Sequence, residues 1–231
     1  MHIYAQLSTH ILLPMTIGAL AVLIIALLKG EICPGQRGRL HRQIPIIACL
    51  FFISAGAMPV FVIPAALLVY FSVQTKTGKT RDSGPIFLLW LALLSSLMLW
   101  LASIVSNQSL FLAGSLCLAI SELIFLGAVL AHLLMIRAKT RLQAFHTLLP
   151  VAGVVSLMLV VLSVLIQAYW AWPTDTKWVL NAIISAFPAL ILAVFVWCWH
   201  LFRSSTAHIL QVGVAWLCCM LGSYLLLPLF Y

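Results

Sequence analysis

The sequence predicts an all-α fold: a polytopic transmembrane helix bundle of seven to eight membrane segments, forming a single integral membrane domain over residues 1–231. Three observations predict it. Hydrophobic residues make up 65% of the 231 residues and charged residues 7%. A soluble domain carries about 25% charged residues, so this chain cannot cover a water-facing surface. Apolar runs of the length that crosses a bilayer, about 20 residues, recur along the chain. The polar interruptions between them, Lys29–Gln43, Gln74–Gly84, Arg137–His146 and Ala171–Lys177, are too short to fold as soluble domains. These features exclude a soluble enzyme, a disordered chain and a nucleic-acid-binding domain. The net charge of +8 arises from twelve Lys/Arg against Glu31, Asp82, Glu122 and Asp175. Its basic residues sit at the ends of apolar runs, where they orient helices against the cytoplasmic face.

The elements follow in order. The first ten residues, MHIYAQLSTH, contain no Lys or Arg. They lack the basic region of a signal peptide, so the first apolar segment reads as a retained helix. The clear spans are Ile11–Leu28, Pro85–Val105, Leu110–Ile136, Thr147–Trp170, Trp178–Phe202 and His208–Phe230. Tyr169, Trp170, Trp172 and Trp178 surround one short loop and Tyr231 ends the chain. Trp197 and Trp199 mark the opposite interface near Arg203, as expected of rings that favour the headgroup level.

The stretch Ile44–Val73 is the ambiguous one. It runs 30 residues without a charge and is interrupted by Gly56, Pro59 and Pro64, and proline breaks or kinks a helix. A single crossing would put Lys29–Arg42 on the opposite side from Lys76–Arg81 and Arg137–Arg141, against the positive-inside rule. A Pro/Gly-broken hairpin over 44–73 instead places Lys29, Arg37, Arg39, Arg42, Lys76, Lys79, Arg81, Arg137, Lys139, Arg141 and Arg203 on one side. Only Lys177, beside Asp175, then lies on the other. The hairpin is preferred, as two short spans or as a re-entrant pair, with both termini on the non-cytoplasmic side.

Few residues offer chemistry. Glu122 sits near the middle of Leu110–Ile136, where insertion of an acid costs roughly 2.5–3.5 kcal/mol. Such a carboxyl either handles protons or ligand, or is held by a serine or a carbonyl for packing. The cysteines at 33, 49, 117, 198, 218 and 219 show no C-x-x-C spacing, so neither metal nor iron–sulfur ligation is expected. His132, His146, His200 and His208 fall near the basic face and read as interfacial. No helix carries two deep histidines, so no haem is expected. No P-loop, HExxH or GxSxG motif is present.

At Ala26-Leu27-Leu28-Lys29-Gly30-Glu31 and again at Ile47-Ala48-Cys49-Leu50-Phe51, the sequence resembles the DmsC family, the membrane-anchor subunits of dimethyl sulfoxide reductases. Weaker matches follow at Leu148-Leu149-Pro150 and from Leu221-Gly222 to Leu229-Phe230-Tyr231. The resemblance implies an eight-helix, haem-free anchor with both termini periplasmic, in the bacterial cytoplasmic (inner) membrane. It implies an iron–sulfur subunit and a molybdopterin catalytic subunit as partners, and menaquinol as ligand. The family's histidine followed by Leu-Gly is replaced here by Val60-Phe61-Val62-Ile63-Pro64-Ala65-Ala66. Its C-terminal acid and arginine are missing from Gly222-Ser223-Tyr224-Leu225-Leu226-Leu227-Pro228. No quinol-binding residue therefore carries over, and Glu122 is the one quinol or proton-handling candidate. The expectation is a non-catalytic anchor with menaquinol as candidate ligand and no covalent or metal cofactor. A small multi-span transporter and a ligand-free assembly or structural protein are the alternatives.

Overall fold

The computed structural model describes residues 3–30, 32–80, 82–106, 111–140, 142–172, 176–203 and 205–230. His2, Glu31, Arg81, Leu110, Arg141, Asp175 and Tyr231, all invoked above, lie outside the described residues. Among the described residues the ordered elements are helical. Six helices are long and apolar enough to cross a membrane: α1 (Ile3–Lys29), α5 (Ile86–Ser106), α6 (Leu112–Arg137), α7 (Gln143–Ala171), α8 (Thr176–Phe202) and α9 (Ile209–Leu226, continued by a 3-10 turn to Phe230). Between α1 and α5 lie a short helix α2 (Pro34–His41) and two short apolar helices, α3 (Ile44–Ala55) and α4 (Val62–Gln74). The chain is a multi-pass helical membrane protein that sits in a lipid bilayer.

Helices α1 and α6 form the centre and run in the same direction. Gly18 of α1 packs on Leu123 and Gly127 of α6, and a Cβ on Gly18 would stand 2.8 Å from the Gly127 Cα. Lipid is as apolar as leucine, so helices in a membrane gain from close approach rather than from leaving water, and paired glycines allow it. One flank of this pair carries α3, α4 and α5; the other carries α7, α8 and α9. Outward side chains such as Phe87, Met98, Met158, Ile191 and Phe202 are exposed and face lipid.

Near its start α1 contains a π-helical segment, Ser8–Leu12. Its register hands the Leu13 N–H to Ser8 O. The next donor in that register would be residue 14, which is proline and has no N–H. Thr9 O therefore takes the Trp100 indole N–H of α5, at 2.8 Å. A local defect in one helix becomes a buried tie to another.

The stretch 44–73 is a hairpin. Met58 is extended, as a residue before proline tends to be, and Pro59–Phe61 form a 3-10 turn that reverses the chain. The tip lies against the start of α1, where the Tyr4 hydroxyl bonds Ile53 O. At the base, α2 packs on the turn Lys76–Gly78. A Cβ on Gly38 would come within 2.6 Å of Gly78 O, and Gly78 itself holds φ +85°, a backbone region that favours glycine. Both ends of the stretch thus meet at one side. At 12 and 13 residues, α3 and α4 are only about 18–20 Å long each.

The docked α2 buries His41, whose ring sits edge-on to Phe71 at 5.2 Å between centroids. Neither ring nitrogen has a hydrogen-bond partner among the described residues. Burial first, and the Arg37 charge second, push the His41 pKa down to about 4 from 6.5. Between these values the undocked segment holds more protons than the docked one, so docking is fully stable above pH 6.5 and weakens as pH falls towards 4. Hydrogen exchange of the α2 amides, corrected for intrinsic rates, should accelerate through that window, and His41→Leu should flatten the dependence. A reporter fused after Gln74 should report the same side of the membrane as one placed between Lys29 and Gln43; opposite sides would overturn the hairpin.

Candidate functional site

Glu122 lies ten residues into α6, about 15 Å from its start. It is fully buried, against Ser223 and Cys219 of α9. Ser223 stands beside the carboxyl as its side-chain hydrogen-bond neighbour, although neither carboxyl oxygen nor Ser223 Oγ reaches close, well-aligned geometry. A carboxyl held by a serine and a carboxyl that handles protons both agree with this arrangement.

Other polar groups extend the site along α6. Towards the start of the helix, Gln167 of α7 donates to Ser115 Oγ at 3.1 Å and to Leu229 O at 2.9 Å. One step further, Ser121 and Ser163 hydroxyls meet at 3.2 Å. Beyond Glu122 the seam resumes at His132. From Ser115 to His132 it covers about 25 Å of helix axis, in a part of the bundle that is otherwise apolar.

At its basic end the seam becomes a cluster of three imidazoles from three helices. The Trp197 indole of α8 donates to His132 Nδ1 at 2.8 Å. An indole can only donate, so His132 Nδ1 must accept, and the neutral ring carries its proton on Nε2. That nitrogen lies 3.1 Å from His146 Nδ1, which accepts in turn, leaving His146 Nε2 to donate to Thr140 O at 3.2 Å. One indole thus sets the tautomer of two imidazoles. His200 stands beside this chain, its ring centroid 5.8 Å from that of His132. Its Nδ1 lies 2.9 Å from Trp197 O and its Nε2 3.3 Å from His146 O. His146 and His200 line a cavity of about 610 Å³ with Thr140, Gln143, Thr206 and Ala207. Among the described residues, no group of three or more His, Cys, Asp or Glu is placed to hold a metal ion.

A family model described as an integral membrane domain matches residues 2–230. The chain belongs to that family. A similar protein of Haemophilus influenzae, described as an uncharacterized protein, is 33% identical in an alignment 162 residues long that covers 62% of this chain. The alignment spans 57% of that relative's length. No solved structure matches.

Glu122 emerges where the sequence reading puts it, deep in the bundle. Ser121 and Ser115 turn to α7, and the serine facing the acid is Ser223, which comes from α9. The histidines correct the sequence reading more sharply. His132 and Trp197 are fully buried and His200 is 3% exposed, so these three pack against one another inside the bundle rather than lying on its outer surface. The signal was present in the span ends: His132, His146 and His200 all lie within six residues of a helix end on the basic side. What no spacing conveys is that those ends turn inward towards one another. Trp197→Phe removes the donor that orients His132 and leaves part of the indole's volume unfilled. It should lower the stability of the detergent-purified protein by about 1–3 kcal/mol, read as a lower midpoint in thermal unfolding.

Proposed function

We propose that this chain is a membrane-anchor subunit of a respiratory molybdopterin oxidoreductase of the dimethyl sulfoxide reductase kind. In this reading it tethers an iron–sulfur and a catalytic subunit at the basic face of the inner membrane and passes electrons from menaquinol to the iron–sulfur subunit. The observation that carries it is Glu122, a carboxyl fully buried deep in the bundle with Ser223 as its side-chain neighbour and no cation beside it among the described residues. Oxidation of a quinol releases two protons with two electrons. The electrons need the partner's clusters, and the protons need an ionisable group in the bundle. Glu122 is that group, and the serine, glutamine and histidine seam along α6 gives its proton polar neighbours.

Two further features support the anchor. The meeting of both hairpin ends beside α2 agrees with the eight-segment topology that the resemblance implies, with both termini opposite the basic loops. The loops are too short to hold a catalytic domain, so chemistry on a soluble substrate needs a partner. The transporter alternative reads Gly56, Pro59 and Pro64 as a broken helix lining a substrate site. In the fold that break is the hairpin tip, packed against the start of α1.

Purification of the tagged chain in mild detergent should recover a molybdopterin protein, an iron–sulfur protein and menaquinone; a lone chain overturns the reading. In the intact complex, Glu122→Gln should lower quinol-dependent reduction at least about tenfold while assembly is retained, as expected when a proton-transfer group is lost. Unchanged turnover removes Glu122 from the mechanism.

A further inference from the structure

We propose that the cavity at the basic end of α6, α7 and α8 binds a phosphate-class oxyanion, presented by a free ion or by the headgroup of an anionic lipid. At about 610 Å³ the cavity falls in the range of small-molecule sites. The charge around it is one-sided. Arg137 and Lys139 adjoin the lining residues Ile136 and Thr140, and Arg203 follows two residues after Leu201. The chain's four acids are at 31, 82, 122 and 175, so no Asp or Glu occurs in 123–174 or in 176–231. These cations have no acidic counterpart on any helix end that forms the cavity.

The buried wall points the same way. His200 is 3% exposed and stands between two carbonyl oxygens, Trp197 O at its Nδ1 and His146 O at its Nε2. A neutral imidazole has one N–H and can donate to only one of them; the imidazolium donates to both. The titratable groups beside it are His132 of α6 and His146 of α7; Arg137, Lys139 and Arg203 are exposed neighbours in sequence of the lining residues. The start of α7, which supplies Gln143, His146 and Thr147 to the lining, has no side-chain cap, so it presents the positive end of its helix dipole there.

Topogenic charge accounts for basic residues at a helix end, but it requires neither a cavity nor a buried imidazole between two acceptors. Ile136 and Leu201 give the cavity apolar walls suited to the glyceride part of a lipid. Arg203 lies 5.0 Å from the Trp199 ring centre, an arginine–aromatic pairing suited to the headgroup level.

The test uses the full chain in a neutral detergent. Native mass spectrometry measures occupancy with inorganic phosphate, with phosphatidylglycerol and with phosphatidylcholine. Saturable binding of phosphate identifies a free oxyanion; binding of phosphatidylglycerol over phosphatidylcholine, without phosphate, identifies a lipid headgroup. Either supports the proposal if Arg137→Gln and Arg203→Gln each weaken binding on the order of fivefold. The control pair Arg39→Gln and Lys76→Gln, on the hairpin side, should leave binding unchanged, with all variants retaining the wild-type thermal midpoint. Absence of binding in all three arms overturns the site, as does equal weakening by the control pair.

Discussion

The crossing of α1 and α6 at Gly18 and Gly127 is the contact on which the rest of the bundle depends. Two helices that touch backbone to backbone become a single core element, and every other helix packs on one side of it. The same contact determines what the other faces of α6 can carry. With α1 occupying one face, the positions at Ser115, Ser121, Glu122 and His132 turn towards α7, α8 and α9. Polar side chains there are shielded from lipid, and any polar group in that interior must find its partner among the packed helices.

Most of them do. Gln167 closes the seam at one end, and Trp197 organises the imidazoles at the other. Glu122 stands between them, fully buried, with Ser223 of α9 as its side-chain neighbour. The α1 π segment obeys the same rule of backbone satisfaction, because the carbonyl left over by Pro14 is taken by Trp100.

The two flanks divide the labour. On the hairpin side, glycine contacts and the 3-10 reversal settle topology, and α2 closes the base by burying His41 against Phe71. On the other side, three helix ends at the basic face enclose a cavity beside the only close grouping of imidazoles among the described residues. Charge is shared between these regions, but its setting differs. Beside α2 the cations stand on a short helix packed against a turn. Near His200 they adjoin in sequence the residues that line a cavity, on helix ends that carry no acid.

How much was legible in the sequence follows from what each feature depends on. Apolar run length and scarce charge determined the helical membrane class, the six long spans and their approximate limits, because a bilayer demands uninterrupted hydrogen-bonded apolar segments of fixed length. The distribution of Lys and Arg also determined the hairpin, since topology responds to charge position along the chain. The depth of Glu122 was equally readable from its place within an apolar run. Tertiary structure alone decided the partners: that Ser223 faces the acid, that Trp197 donates to His132, and that His132, His146 and His200 converge. Those facts depend on rotation of each helix about its axis and on which ends lean together. Both are set by contacts between residues many tens of positions apart, and in helices apolar on all sides no periodicity records them.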